Sequence, residues 1–157
     1  MLSHKKIVVP ENLISLAKKT PSVPVGIVCA HHQSSMESSK QAYELDLIDP
    51  TFIGKMNLIQ EEAEKLKWNI KKFTIIDKNS DHDAATAGAQ LASENKIKVL
   101  IKGNLHTDIL MRVYIKKKFG LIESKRLSHI WHMTLDTSDK PLFITDGALN
   151  VAPRVDI

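Results

Sequence analysis

The residues best placed to do chemistry begin at the end of an apolar run, Val99-Leu100-Ile101-Lys102-Gly103, with Thr107 and then Arg112 shortly after. If the run is a strand and Thr107 opens a helix, a lysine ammonium, an unencumbered glycine backbone and the first N–H groups of the helix meet at one junction. Phosphoryl or carboxylate oxygens suit such a place, because helix starts carry partial positive charge and Gly103 allows a ligand to come near the chain. Further along, Ser128, Asp146 and Asn150 add hydroxyl, carboxylate and amide groups. Arg112, Lys116, Lys117, Lys118, Lys125 and Arg126, broken only by Glu123, form the densest basic cluster. That cluster fits either a compact polyanion or a helix end whose cations complement the negative pole of the macrodipole.

Other chemistries are disfavoured by spacing. His129 and His132 are three apart on an expected strand and so face opposite ways, and His31 and His32 diverge if their strand extends that far, so no metal site is assigned. Ser128 beside His129 is no catalytic dyad, since neighbouring strand residues face apart. The chain has no Walker A pattern, no Gly-x-Gly-x-x-Gly and no Cys-x-x-Cys. Its single cysteine, Cys29, lies in an apolar run and reads as a buried reduced thiol. A formal charge of +4 permits nucleic-acid binding, but aromatic content is 5% and none interleaves with the cations as a base-stacking platform requires. No catalytic residue is assigned.

The junction needs a scaffold, and the sequence supplies an alternating one. Residues 11–19 form a short amphipathic helix stopped by the turn at 20–24. Residues 25–30 are a continuous apolar run of the kind buried on both sheet faces, followed by a helix capped by Ser34 or Ser35 with Met36, Ser39, Tyr43 and Leu47 on one side. Strands are expected at 50–54, 72–76 and 98–101, and helices at 57–68, from an Asp81 cap, and at 107–118. In the alanine-rich helix, Ala84, Ala87, Gly88 and Leu91 make a narrow face suited to close packing on a sheet. This order argues for right-handed crossovers and a parallel sheet with helices on both faces, an α/β fold with its ligands beyond the strands' carboxyl ends. Near Leu127 the pattern changes to two strands, 128–134 and 141–145, too close for a crossover helix and so antiparallel.

At 157 residues and 43% hydrophobic content, one core is the default, with residues 1–22 as an N-terminal helix and turn and 23–157 as the α/β domain. No apolar run approaches the roughly 20 residues of a membrane helix and no secretory signal opens the chain, so a cytoplasmic protein is expected.

With these blocks in view, the chain resembles the phosphate acetyltransferase and phosphate butyryltransferase family, the butyryl branch more closely. Lys102-Gly103 with Thr107 and Arg112, then Leu127-Ser128-His129, then Thr145-Asp146 with Asn150 and Pro153, agree in order and gaps; Ala42, Ile53-Gly54 and Ala84-Ala85 fit more loosely. The resemblance implies an αβα sandwich with a mostly parallel sheet, similar to isocitrate and isopropylmalate dehydrogenases, here in a truncated, amino-terminal form. It implies transfer of an acetyl or butyryl group between coenzyme A and inorganic phosphate, with acyl-CoA and phosphate or acyl phosphate as partners and no cofactor beyond the coenzyme A thioester as substrate. By the same resemblance Lys102 and Arg112 would face phosphates, with Gly103 between them; Thr107 would orient an oxygen, Ser128 and Asn150 would line the cleft, and Asp146 would support it.

The chain departs from the family at His31-His32, where an acidic residue is usual, at Lys98, where aspartate is common, and in lacking the family's second half. Charge-assisted hydrogen bonds contribute about 1.5–3 kcal/mol each, whereas enzymatic acceleration takes about 8 kcal/mol or more, so the retained cations suit binding better than turnover. The transferase is therefore expected to be incomplete on its own, completed by self-assembly or by a partner chain. The alternative is a non-catalytic remnant or anion-binding module. A core cut short would expose apolar surface and favour self-association.

Overall fold

The computed structural model describes residues 9–122, 127–135 and 138–147. They fall into two units, one spanning Asn12–Leu121 and the other containing residues 9–11 and the described residues from Ile122 onward.

The first unit runs α1 (Glu11–Ala17), β1 (Val23–Val28), α2 (Gln33–Glu44), β2 (Ile48–Gly54), α3 (Met56–Lys65), β3 (Ile75–Asp77), α4 (Asp81–Ser93), β4 (Val99–Lys102) and α5 (Thr107–Tyr114), with a 3₁₀ turn at Lys117–Phe119. The strands form one parallel sheet in the order β3-β2-β1-β4. Side chains alternate across it, as strand geometry requires. Val25, Ile27 and Phe52 pack beneath Met36 of α2 and Ile59 and Ala63 of α3. Val28 and Ile53 point the other way, against Ala84, Ala85 and Ala89 of α4 and Val113 of α5. The sheet thus has helices on both faces, as the alternating sequence pattern anticipates.

The alanine-rich helix comes close to the sheet for the expected reason. A Cβ on Gly88 would stand 2.9 Å from Val28 Cγ2 and 3.0 Å from Leu100 Cδ1. On the opposite face, Trp68 and Phe73 meet Phe52 edge-on at centroid distances of 5.6 and 5.9 Å, an arrangement aromatic quadrupoles favour.

Several local expectations are corrected. The helix after β1 is capped by His32, whose Nδ1 accepts from Ser34 N at 3.3 Å, and not by Ser34 or Ser35. Ser35 is unavailable for capping, because its hydroxyl donates to the carbonyls of His32 (2.8 Å) and Ala30 (3.2 Å). At α4 the cap is Ser80, whose Oγ accepts from Asp83 N at 3.1 Å, leaving Asp81 as the first helical residue. Helices α2 and α3 stop short of Leu47 and Trp68. After each, a non-glycine residue turns left-handed, Asp46 (φ 58) and Lys67 (φ 50), as does Asn95 (φ 57) after α4. The following amides close back on the helix, Leu47 N to Ala42 O (3.0 Å), Trp68 N to Ala63 O (2.9 Å) and Lys96 N to Leu91 O (2.9 Å), which satisfies the last carbonyls. The third strand begins at Ile75, because Phe73 is held in a turn by its N–H to Ile70 O (3.0 Å). Helix α5 ends at Tyr114, before Lys116–Lys118.

The second unit contains an antiparallel hairpin, β5 (Ile130–Leu135) with β6 (Ser138–Thr145), in register Trp131↔Ile144 and Met133↔Leu142 with an irregularity near Leu135. The antiparallel pairing agrees with the sequence expectation, although β6 starts three residues earlier than the expected 141. Among the described residues, no helix is long and apolar enough to cross a membrane.

Candidate functional site: the carboxyl edge of the parallel sheet

The chain leaves β1 toward β2 on one side, while β4 lies on the other. That reversal opens a crevice beyond the ends of β1 and β4, where parallel α/β sheets take their ligands. At its mouth is a cleft of about 610 Å³, with His32, Ser34 and Ser35 at the start of α2 facing Lys102, Gly103 and Asn104 at the end of β4. The cleft continues beside α2 over an apolar floor of Ala42, Ile48 and Ile101. A polar, cationic mouth above an apolar floor suits an anion attached to a less polar body.

Lys102 is held at the mouth by its own loop. Its Nζ donates to Leu105 O at 2.8 Å and to Gly103 O at 3.4 Å, so two of the ammonium's three donors are engaged and its position is fixed by backbone. Gly103 is required for a different reason from the one the sequence suggests. A Cβ there would stand 2.3 Å from Cys29 O and 2.6 Å from Val28 O, so the glycine lets β4's exit press against β1's exit.

The amides at the exit of β4 are used by the same contact. Gly103 N donates to Val28 O (2.8 Å), Asn104 N to Cys29 O (2.7 Å) and Leu105 N to Gly103 O (3.1 Å). The exits of β1 and β4 thus stay hydrogen-bonded to each other past the end of the ladder. The amides of the strand exit are already paired, while the start of α5 at Thr107 carries no side-chain cap.

Thr107 and Arg112 lie on α5 and do not line the Lys102 cleft. Thr107 is the first helical residue after His106, and α5 has no side-chain cap. The Arg112 side chain is 79% exposed, with Nε 3.7 Å from Asp108 Oδ2 one turn back. The structure therefore brings Lys102 and Gly103 together and leaves Thr107 and Arg112 outside that lining. Ser128 belongs to the hairpin unit, where its Oγ lies 3.1 Å from Thr145 Oγ1, which donates in turn to Asp146 Oδ2 at 3.1 Å. Asn150 and Pro153 lie outside the described residues.

A second, smaller hollow of about 360 Å³ adjoins the cleft through Asn104 and is otherwise lined by His31, Asp81, Leu105 and His106. Cys29 stands behind it, buried, with φ 56 and Sγ donating to Asp81 Oδ1 at 3.7 Å. Burial, reinforced by the Asp81 carboxylate, pushes the Cys29 thiol up to about 12 against the opposing pull of Lys55 and Lys102, so it is no nucleophile. Burial likewise holds the His31 imidazole below its ordinary value, though Asp81 acts against that, and its buried Nδ1 has no hydrogen-bond partner. At the next strand end, Asp77 Oδ1 accepts from Met56 N at 3.0 Å, so this carboxylate serves the start of α3. Among the described residues, no group of three His, Cys, Asp or Glu side chains is placed to hold a metal ion.

Sequence reasoning noted His32 only as a strand-end residue and missed Asn104 and the cleft-lining place of Ser34 and Ser35. Their common signal is position: each sits within a few residues of a strand end beside the β1–β4 reversal, which shows only once the strand order is known.

This fold is shared with solved phosphotransacylases. A branched-chain phosphotransacylase from Enterococcus faecalis V583 superposes with a TM-score of 0.65 at 20% identity, covering 84% of this chain and 45% of that one. A phosphotransacetylase from Streptococcus pyogenes superposes with a TM-score of 0.67 at 12% identity, covering 87% and 51%. No family model matches the chain. Individual relatives do: the phosphate acetyltransferase of Rickettsia typhi is 29% identical over 145 residues, 92% of this chain and 42% of the relative. The phosphate butyryltransferase of Clostridium beijerinckii is 27% identical over 144 residues, 92% of this chain and 48% of the relative. By sequence and fold together, the chain is similar to phosphate acetyltransferases and phosphate butyryltransferases. It spans less than half the length of the curated relatives it matches.

Proposed function

We propose that this chain supplies one part of a phosphate acyltransferase, which moves an acetyl or butyryl group between coenzyme A and inorganic phosphate and is incomplete with this chain alone. The observation that carries the reading is the kinship itself: relatives named for this reaction match 92% of the chain but only 42–48% of their own length. On this reading the wider architecture is the αβα sandwich of the isocitrate and isopropylmalate dehydrogenase type, and the protein works in the cytoplasm.

Within the part described, the Lys102 mouth is the phosphate end of the ligand site. The ammonium fixed at 2.8 Å from Leu105 O is pre-positioned, so little side-chain entropy is lost when an anion joins it. Gly103 contributes by shaping the β1–β4 exit. Thr107, Arg112, Ser128 and Asn150 are proposed as further ligand contacts on the family resemblance alone. The reaction also needs a base to take the thiol proton and donors for the oxyanion. Those are expected from the polypeptide that completes the site, either another copy or a partner chain.

The test is acyl phosphate formation from acetyl-CoA or butyryl-CoA and phosphate, with the purified chain alone and with candidate completing chains. Coenzyme A binding without turnover by the chain alone, and turnover on reconstitution, support the reading. Failure of coenzyme A, acyl-CoA and phosphate to bind would refute it.

A further inference from the structure

The parallel sheet has two ends, and its amino end carries a hollow of its own. The hollow measures about 590 Å³, a size that small ligands occupy, and lies where α3 closes and the chain turns into β3. Because the strands run parallel, this corner is at the opposite end of the sheet from Lys102. The apolar part of its lining is Trp68, Ile70 and Ile75, the first residue of β3. The polar part is Glu64 of α3 with Lys67, Asn69 and Lys71 of the connecting turn.

Donors outnumber acceptors in that lining. Lys67 and Lys71 are exposed, and neither is in an ion pair among the described residues. Asn69 Oδ1 accepts from Lys71 N at 3.1 Å, which folds the turn and leaves the amide's N–H groups to donate. Trp68 is 8% exposed and its ring is held edge-on by Phe52 and Phe73. Its indole N–H has no hydrogen-bond partner among the described residues, whereas a buried tryptophan usually finds one. Glu64 is the one carboxylate in the lining, so two lysines against one glutamate leave it net positive. A wholly apolar ligand would leave the donors unmet, and a bare inorganic anion would leave Trp68, Ile70 and Ile75 uncovered.

We propose that this amino-edge hollow binds a small carboxylate with an apolar, ring-bearing body. Lys67 and Lys71 take the carboxylate, and the body lies over Trp68, Ile70 and Ile75. The Asn69 amide and the Trp68 indole supply neutral N–H donors beside the two ammonium groups. The site is separate from the Lys102 cleft and does not depend on the transferase reading.

The test titrates phenylacetate, its neutral amide phenylacetamide and the cationic phenethylamine into the full chain. All three carry the same ring and differ in charge. Nuclear magnetic resonance follows the indole N–H of Trp68, with that of Trp131 in the hairpin as reference; Trp131→Phe assigns the two signals. Phenylacetate is expected to shift the Trp68 signal saturably and to bind at least about tenfold more tightly than the amide or the amine. Lys67→Asn and Lys71→Gln are each expected to weaken phenylacetate about tenfold with the melting temperature nearly unchanged. Asparagine suits the first position because residue 67 is left-handed, with φ 50. Equal affinity for the three probes, no saturable shift of Trp68, or full affinity in both lysine variants overturns the proposal. So does a phenylacetate map centred on His32 and Asn104. A Trp68 signal that moves with protein concentration before any probe is added would make the hollow an interface between copies of the chain, and would equally overturn it.

Discussion

The parallel sheet and the hairpin are built from residues of similar polarity, yet they are held in different ways. In the sheet unit, Phe52, Ile53, Val28 and Ile27 are fully buried between two helix layers. In the hairpin, Trp131 is 61% exposed and Phe143 60%, on a register that puts Trp131, Ile144, Met133 and Leu142 on one face. Among the described residues the hairpin is a sheet of two strands, and a two-stranded ribbon by itself is marginally stable. The difference shows where chemistry can be positioned: the sheet's carboxyl edge is fixed by packing from both sides, whereas the hairpin residues are fixed by strand pairing and local polar contacts such as that between Ser128 and Thr145.

The sharpest way to break this comparison is to truncate equivalent aromatic side chains. Phe52→Ala is expected to destabilise the protein by about 3–5 kcal/mol, and Phe143→Ala by less than about 1 kcal/mol, by urea denaturation. Equal losses would mean that the hairpin has a core of its own. Next comes glycine. Gly103→Ala forces a methyl group against Cys29 O and Val28 O and is expected to cost about 3 kcal/mol, whereas Gly147→Ala, whose nearest neighbour would be 4.0 Å away, should leave the melting temperature almost unchanged.

A smaller effect tests the corrected caps. Ser80→Ala is expected to cost about 1 kcal/mol through the lost bond to Asp83 N, and Ser34→Ala less, because His32 holds that start. The smallest concerns protons. His31 is held below its ordinary 6.5 in the folded protein, so between that lowered value and 6.5 the unfolded chain binds more protons and stability rises with pH. The contribution is complete above 6.5 and is lost as pH falls below it. Melting temperatures from pH 8 to pH 5 should therefore fall less steeply in His31→Gln than in the parent protein; parallel curves would remove His31 from the account.

The alternation of strand and helix was legible because continuous apolar runs such as Val25–Ala30 are recognisable without tertiary knowledge. Helix ends were not, because α2, α3 and α4 are closed by Asp46, Lys67 and Asn95 in left-handed conformations that glycine usually takes. Leu47 and Trp68, apolar and helically spaced, read as helix but are the residues that fold back after it. Phe73 read as strand because one of its ring partners, Tyr43, comes from a distant part of the chain.

The site was half legible for a related reason. Lys102-Gly103 is a local signal, whereas the approach of His32 and Asn104 depends on β4 pairing with β1, a contact between segments some seventy residues apart. Arg112 lies one turn after Asp108 and pairs with it within the helix, a local contact that its spacing allows.

The central claim is that Lys102 at the β1–β4 reversal receives the ligand's phosphate. Calorimetric titration of coenzyme A into the protein and into Lys102→Ala tests it most directly. The account predicts binding to the parent chain and at least about tenfold weaker binding to the variant, the loss of one charge-assisted contact. Equal affinity for both, with the fold intact, would contradict it.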